Sequence, residues 1–134
     1  MTLKRRTIAV DFDGTVVKHA YPKMGKDVPL AVDTLRQLVD KGHRLILFTM
    51  RDDTELKRAV QWYKDRGIPL FGVNENPEQK TWTTSPKVYA NLYIDDLALG
   101  IPLNHQDEDI DPEDGRPFVD WFGVQRLLKE QGYL

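Results

Sequence analysis

Asp11 and Asp13 stand two residues apart in Asp11-Phe12-Asp13-Gly14-Thr15, directly behind the apolar stretch Thr7-Ile8-Ala9-Val10. Side chains at i and i+2 of an extended chain share a face, so both carboxylates can look toward one small volume. Like charges held that close repel unless a cation or a proton intervenes. The pair therefore points to metal binding, proton transfer, or both. Gly14 lets the chain turn sharply away from the strand, and in open α/β sheets ligands bind in the crevice beyond the carboxyl ends of the strands. The same run also spells an ordinary Asp-Gly turn at a strand end, so its chemistry depends on what else the chain brings.

Further candidates fall at other strand ends. Thr49 closes the apolar run Arg44-Leu45-Ile46-Leu47-Phe48-Thr49, with Arg51 two residues on. Lys87 precedes Asn91-Leu92-Tyr93-Ile94, which ends on the acidic pair Asp95-Asp96. Each has a plain use by itself: a β-branched strand residue, a solvated lysine, a turn or cap. Arg51 suits either a substrate anion or a surface ion pair.

Taken in chain order, Asp11-x-Asp13-x-Thr15, Thr49, Lys87 and Asp95-Asp96 resemble the motifs of the haloacid dehalogenase superfamily of phosphatases, and the resemblance spans nearly the whole chain. It implies a Mg²⁺-dependent phosphomonoester hydrolase with an aspartyl-phosphate intermediate and a phosphorylated substrate of unspecified class. Asp11 would be the nucleophile, and Asp13 the group that protonates the leaving oxygen and then activates water. Thr49 and Lys87 would hold the phosphoryl oxygens. Mg²⁺ would be bound by Asp11, Asp95 and the main-chain carbonyl of Asp13, with Asp96 completing the shell or orienting Lys87. Lys80, in a long polar loop, competes with Lys87 but fits the family spacing less well.

Other chemistries lack support. Zero cysteines exclude disulfides, thiolate metal sites and a cysteine nucleophile. His19, His43 and His105 have no metal-site spacing, and neither a dinucleotide-binding nor a P-loop glycine pattern occurs. The acidic run over residues 107–114 imitates the start of a calcium loop, but Pro112 and Phe118 occupy the positions that need Gly and Glu. A formal charge of −2 gives no specific nucleic-acid signal. The apolar run behind Lys4-Arg5-Arg6 is too short for a signal peptide or a membrane span, so a cytoplasmic protein is expected. A receiver-like phospho-Asp signalling module or a non-catalytic binding module is the alternative. A receiver, however, carries its acidic pair at the first strand and its phospho-acceptor at the third.

These residues need a scaffold, and the chain of 134 residues reads as one domain with enough apolar content for a single core. Residues 16–29 read as a loop or short hairpin over the strand end. Val32, Leu35, Leu38 and Val39 keep helical spacing up to Gly42. Asp52 and Glu55 resemble a capping box opening a helix through Leu56, Ala59, Val60 and Tyr63 to Gly67. Residues 69–73 are a weaker strand, 74–86 a polar loop, 88–90 a turn of helix, and 97–117 irregular. A last helix over 119–131 turns Trp121, Val124, Leu127 and Leu128 inward. This alternation predicts a three-layer, doubly wound, Rossmann-like α/β fold around a mostly parallel sheet, without a large cap. An open pocket of this kind is expected to be covered by a large substrate or by self-association; any exposed aromatics among Tyr21, Trp62, Trp82 and Trp121 would supply a patch, while core packing is the expected use of most of them.

Overall fold

The computed structural model describes residues 4–104 and 115–134. Strand β1 (Thr7–Val10) is central, paired in parallel with β2 (Arg44–Leu47) on one side and β4 (Leu92–Ile94) on the other, and β3 (Gly72–Val73) lies beyond β2. The order β3-β2-β1-β4 means that the chain moves outward from β1 and then returns to its other edge. Where that direction reverses, the connections leave in opposite senses and a crevice opens above the strand ends. Asp11 and Asp95, the residues next after β1 and β4, stand at that reversal.

Strand register explains the layers. Ile8, Val10, Leu45, Leu47 and Ile94 point to one face and join the main core with the apolar stripes of α1 (Ala31–Asp40), α2 (Asp53–Asp65) and α3 (Trp121–Glu130). Each fully buried Leu or Ile there contributes about 1.5–3 kcal/mol over exposure. Ala9 and Ile46, of opposite parity, are also buried, but their face is closed by the 74–91 segment. That layer is a loop with one 3₁₀ turn (Gln79–Thr81), held by side chains. Gln79 Nε2 donates to the Ser85 and Lys87 carbonyls while its Oε1 accepts from Tyr89 N, and the Tyr93 hydroxyl donates to the Val88 carbonyl. Such local side-chain bonds satisfy backbone groups that regular structure would otherwise pair.

The structure departs from the sequence expectations in several places. Residues 88–90 form no helix, because their backbone groups bond to Gln79 and Tyr93. Asp52 takes the N-cap position of α2, yet makes no capping bond. The 97–117 stretch contributes β5 (Leu103–Asn104), which pairs antiparallel with β6 (Phe118–Val119), a contact of distant segments with no local signature. Trp62 and Trp121 are core residues, in keeping with the expected use of most of the four aromatics: Trp62 meets Phe12 edge-on and donates to Asp27, and Trp121 donates to the Thr15 carbonyl at 2.7 Å. Tyr21 and Trp82 are exposed. The C-terminal glycines of α1 and α2 stand as expected, Gly42 at φ 93° and Gly67 at φ 65°. His105 and the acidic run 107–114 lie outside the described residues. No helix among the described residues is long and apolar enough to cross a membrane.

Candidate active site

Beyond Val10 the chain still follows the sheet for one residue, with Asp11 N donating to the Ile94 carbonyl, and then turns. The Phe12 carbonyl accepts from Thr15 N and Val16 N, so the turn is tight, and Gly14 takes φ 80° to complete it. Phe12 is driven into the core against Trp62. Its two neighbours consequently face the other way, into one cleft of about 400 Å³. Asp11, Asp13, Thr49, Arg51, Asp95 and Asp96 all line that cleft.

Three of the carboxylates converge: Asp11, Asp95 and Asp96 each offer an oxygen within 4.8 Å of the others. Asp11 is held by Thr15, whose hydroxyl donates to Asp11 Oδ2 at 2.8 Å and accepts from Asp96 N at 3.1 Å. Burial pushes the Asp11 carboxyl up from 3.8 to about 8, and the neighbouring charges of Asp95 and Asp96 add to the rise. Asp95 is raised as well, chiefly by burial. These are groups that cannot all ionise without a compensating charge. A donor set of hard carboxylate oxygens with that unmet need fits a Mg²⁺-like cation.

The Asp13 carboxylate is directed elsewhere. Arg51 Nε and Nη2 each donate to it at 2.7 Å, a bidentate pair whose guanidinium is buried. Arg51 Nη2 also donates to the Lys23 carbonyl at 2.8 Å, and its main-chain N donates to Thr49 Oγ1 at 3.1 Å. Thr49 N in turn donates to Asn74 Oδ1, which ties the end of β2 to the end of β3. The 16–29 segment is a narrow flap, closed by Lys18 N to the Lys26 carbonyl and Val28 N to the Val16 carbonyl.

The lysines stand apart from these groups. Lys87 is exposed, its ammonium 6.0 Å from the Tyr93 ring centre, and does not line the cleft. Lys80 is exposed too and lines a neighbouring cavity of about 490 Å³ beside Asn74 and Gln79. Asp96, considered from sequence as a partner of Lys87, accepts from His19 Nε2 at 2.9 Å. His19, which had no role in sequence, is buried and lines the cleft, and a Cβ on Gly14 would collide with it and with Asp96. Arg116 and Tyr21 also line the cleft. His19 and Asp96 are 77 residues apart, and nothing in spacing pairs them.

A solved structure described as a conserved protein from Bacteroides thetaiotaomicron superposes on this chain with a TM-score of 0.75 and 36% identity, covering 96% of this chain and 93% of that one. The two chains belong to one family. That description names no activity. A second similarity is to a protein named phosphoglycolate phosphatase from Nitrosopumilus maritimus (strain SCM1), 40% identical over 53 residues. The matched stretch is 40% of this chain and 22% of that protein. No family model matches the chain.

Proposed function

We propose that this protein is a phosphatase of the haloacid dehalogenase type, hydrolysing phosphomonoesters through an aspartyl-phosphate on Asp11. The observation that carries the reading is the convergence of Asp11, Asp95 and Asp96 at the sheet reversal, in one cleft with Asp13 and Thr49. The name of the Nitrosopumilus protein supports the reaction type; its shared stretch is too small a part of that protein to carry over its substrate.

In the proposed reaction an Asp11 oxygen attacks phosphorus in line, the bond to the leaving oxygen breaks, and Asp13, protonated and with one oxygen released from Arg51, supplies the proton that the leaving oxygen needs. Water then attacks the aspartyl-phosphate, Asp13 takes its proton, and the bond from phosphorus to Asp11 breaks to release phosphate. Thr15 fixes the rotation of the Asp11 carboxylate through its 2.8 Å hydrogen bond. The Thr49 hydroxyl and Lys87, once it reaches the phosphate, would offset charge on the phosphoryl oxygens, where electrostatic stabilisation provides most of the catalysis. Mg²⁺ held by Asp11, Asp95 and the Asp13 carbonyl would neutralise the crowded carboxylates and let Asp11 ionise.

Hydrolysis of 4-nitrophenyl phosphate is expected to need Mg²⁺ and to vanish in Asp11→Asn, since an amide neither attacks phosphorus nor ligates a cation with charge. Full activity of that variant, or equal activity in a chelator, would falsify the assignment. A screen of phosphometabolites and phosphopeptides, with and without Mg²⁺, would then name the substrate.

A further inference from the structure

Arg51 is unusual among the charged side chains of this protein: it is 2% exposed and yet belongs to the cleft. A guanidinium removed from water needs a fixed counter-charge, and the Asp13 carboxylate provides it with two parallel hydrogen bonds of 2.7 Å. The group is further confined between two rings, 5.1 Å from the Phe12 centre and 5.2 Å from that of Tyr21. Phe12 sits in the core, whereas Tyr21 and the Lys23 carbonyl belong to the flap. One side chain thus touches the turn after β1 and the flap, while the main-chain N of the same residue bonds Thr49, two residues past β2.

We propose, resting on the phosphatase reading above, that Arg51 is a positioning residue: it holds the Asp13 carboxylate at the leaving-group side of the cleft and fixes the flap over the same point. Its Nε and Nη2 protons are taken by Asp13 and the Lys23 carbonyl, and only Nη1, buried without a partner, is left over. A lysine there would keep the charge but lose the two-point contact that sets the carboxylate plane.

The test is a set of phosphate esters graded from good to poor leaving groups, hydrolysed by the wild type, Arg51→Lys, Asp13→Asn and the double variant. With Arg51→Lys, turnover of an alkyl phosphate is expected to fall about 10²-fold, while that of 4-nitrophenyl phosphate falls less than about tenfold, because only a poor leaving group depends on a well-placed acid. Adding Arg51→Lys to Asp13→Asn should cost nothing more on the alkyl ester, since both act through one group. Trypsin should cut faster at Lys18, Lys23 or Lys26 in Arg51→Lys than in the wild type. Equal loss across the series, with weaker inhibition by inorganic phosphate, would make Arg51 a phosphate ligand and overturn the proposal, and unchanged trypsin sensitivity would overturn the flap attachment. If Arg51→Lys does not fold, Tyr21→Ala removes one confining ring from an exposed position and should give a smaller loss with the same leaving-group dependence. A wild type inactive on every ester would remove the phosphatase reading itself, and the trypsin comparison would still decide whether Arg51 holds the flap.

Discussion

Asp11 gathers the largest conflict of forces in the protein. It is buried next to two other carboxylates, and its proton affinity is raised to about 8 although Thr15 donates to it. A nucleophile in that setting works at neutral pH only when positive charge arrives. The described arginines at the cleft wall are Arg51, paired with Asp13, and Arg116. A lysine brought to the phosphate therefore has a use here, and Lys87 and Lys80 are the two candidates named from the sequence. Lys87 precedes the acidic strand end directly and lies over the ring of Tyr93, whereas Lys80 lies in the separate cavity beside Gln79. Turnover of an aryl phosphate is expected to fall at least tenfold more in Lys87→Ala than in Lys80→Ala, on the scale of a lost electrostatic donor. The reverse ranking would transfer the phosphate-binding role to Lys80.

The turn after β1 and the two segments pinned to it turn a strand end into a site. Trp121 at the start of α3 donates to the Thr15 carbonyl, Val119 N in β6 donates to the Gly14 carbonyl, and Asp96 N bonds the Thr15 hydroxyl. Gly14 is thus fixed from several sides at φ 80°, with His19 and Asp96 packed where a Cβ would stand. Gly14→Ala is expected to destabilise the fold by at least about 1–2 kcal/mol from backbone conformation alone. It should also weaken divalent-cation binding, because Asp96 and His19 must give way. Thermal melts with and without Mg²⁺ measure both effects, and an unshifted melt with normal cation response would show that the turn tolerates a side chain.

For the whole molecule, the raised carboxyls couple stability to pH. A carboxyl whose proton affinity is higher folded than unfolded favours the native state in acid, and that advantage is lost as pH rises through the folded value. For Asp11 the window runs from 3.8 to about 8, and Asp95 acts in the same direction. The cation-free melting temperature is therefore expected to carry a declining component between about pH 4 and 8, and Mg²⁺ should remove it by binding only the native cluster. A cation-free curve with no more decline than the Mg²⁺-bound one would contradict the burial of Asp11. The flap is a narrow cover, and Tyr21, Met50 and Leu97 are exposed around the cleft. Sedimentation at micromolar concentration is expected to show self-association. A strict monomer that prefers small phosphometabolites would leave the flap as sufficient cover.

Strand ends, helix stripes and the acidic residues were legible in the chain itself, because alternation and 3.6-residue periodicity are local consequences of which side chains avoid water. The parallel sheet follows from the same pattern. Asp11, Asp13, Thr49, Arg51, Asp95 and Asp96 could all be named from their positions beside strand ends and turn residues. What those groups touch was decided only by the tertiary structure. The Asp13–Arg51 pair, the His19–Asp96 bond, the Thr15 bridge and the β5–β6 pairing each join segments or orient side chains through packing, which no short spacing encodes. Residues 74–86 read as a loop from their polarity alone, and only 88–90 differ, where Gln79 and Tyr93 bond the backbone and remove the need for a helix.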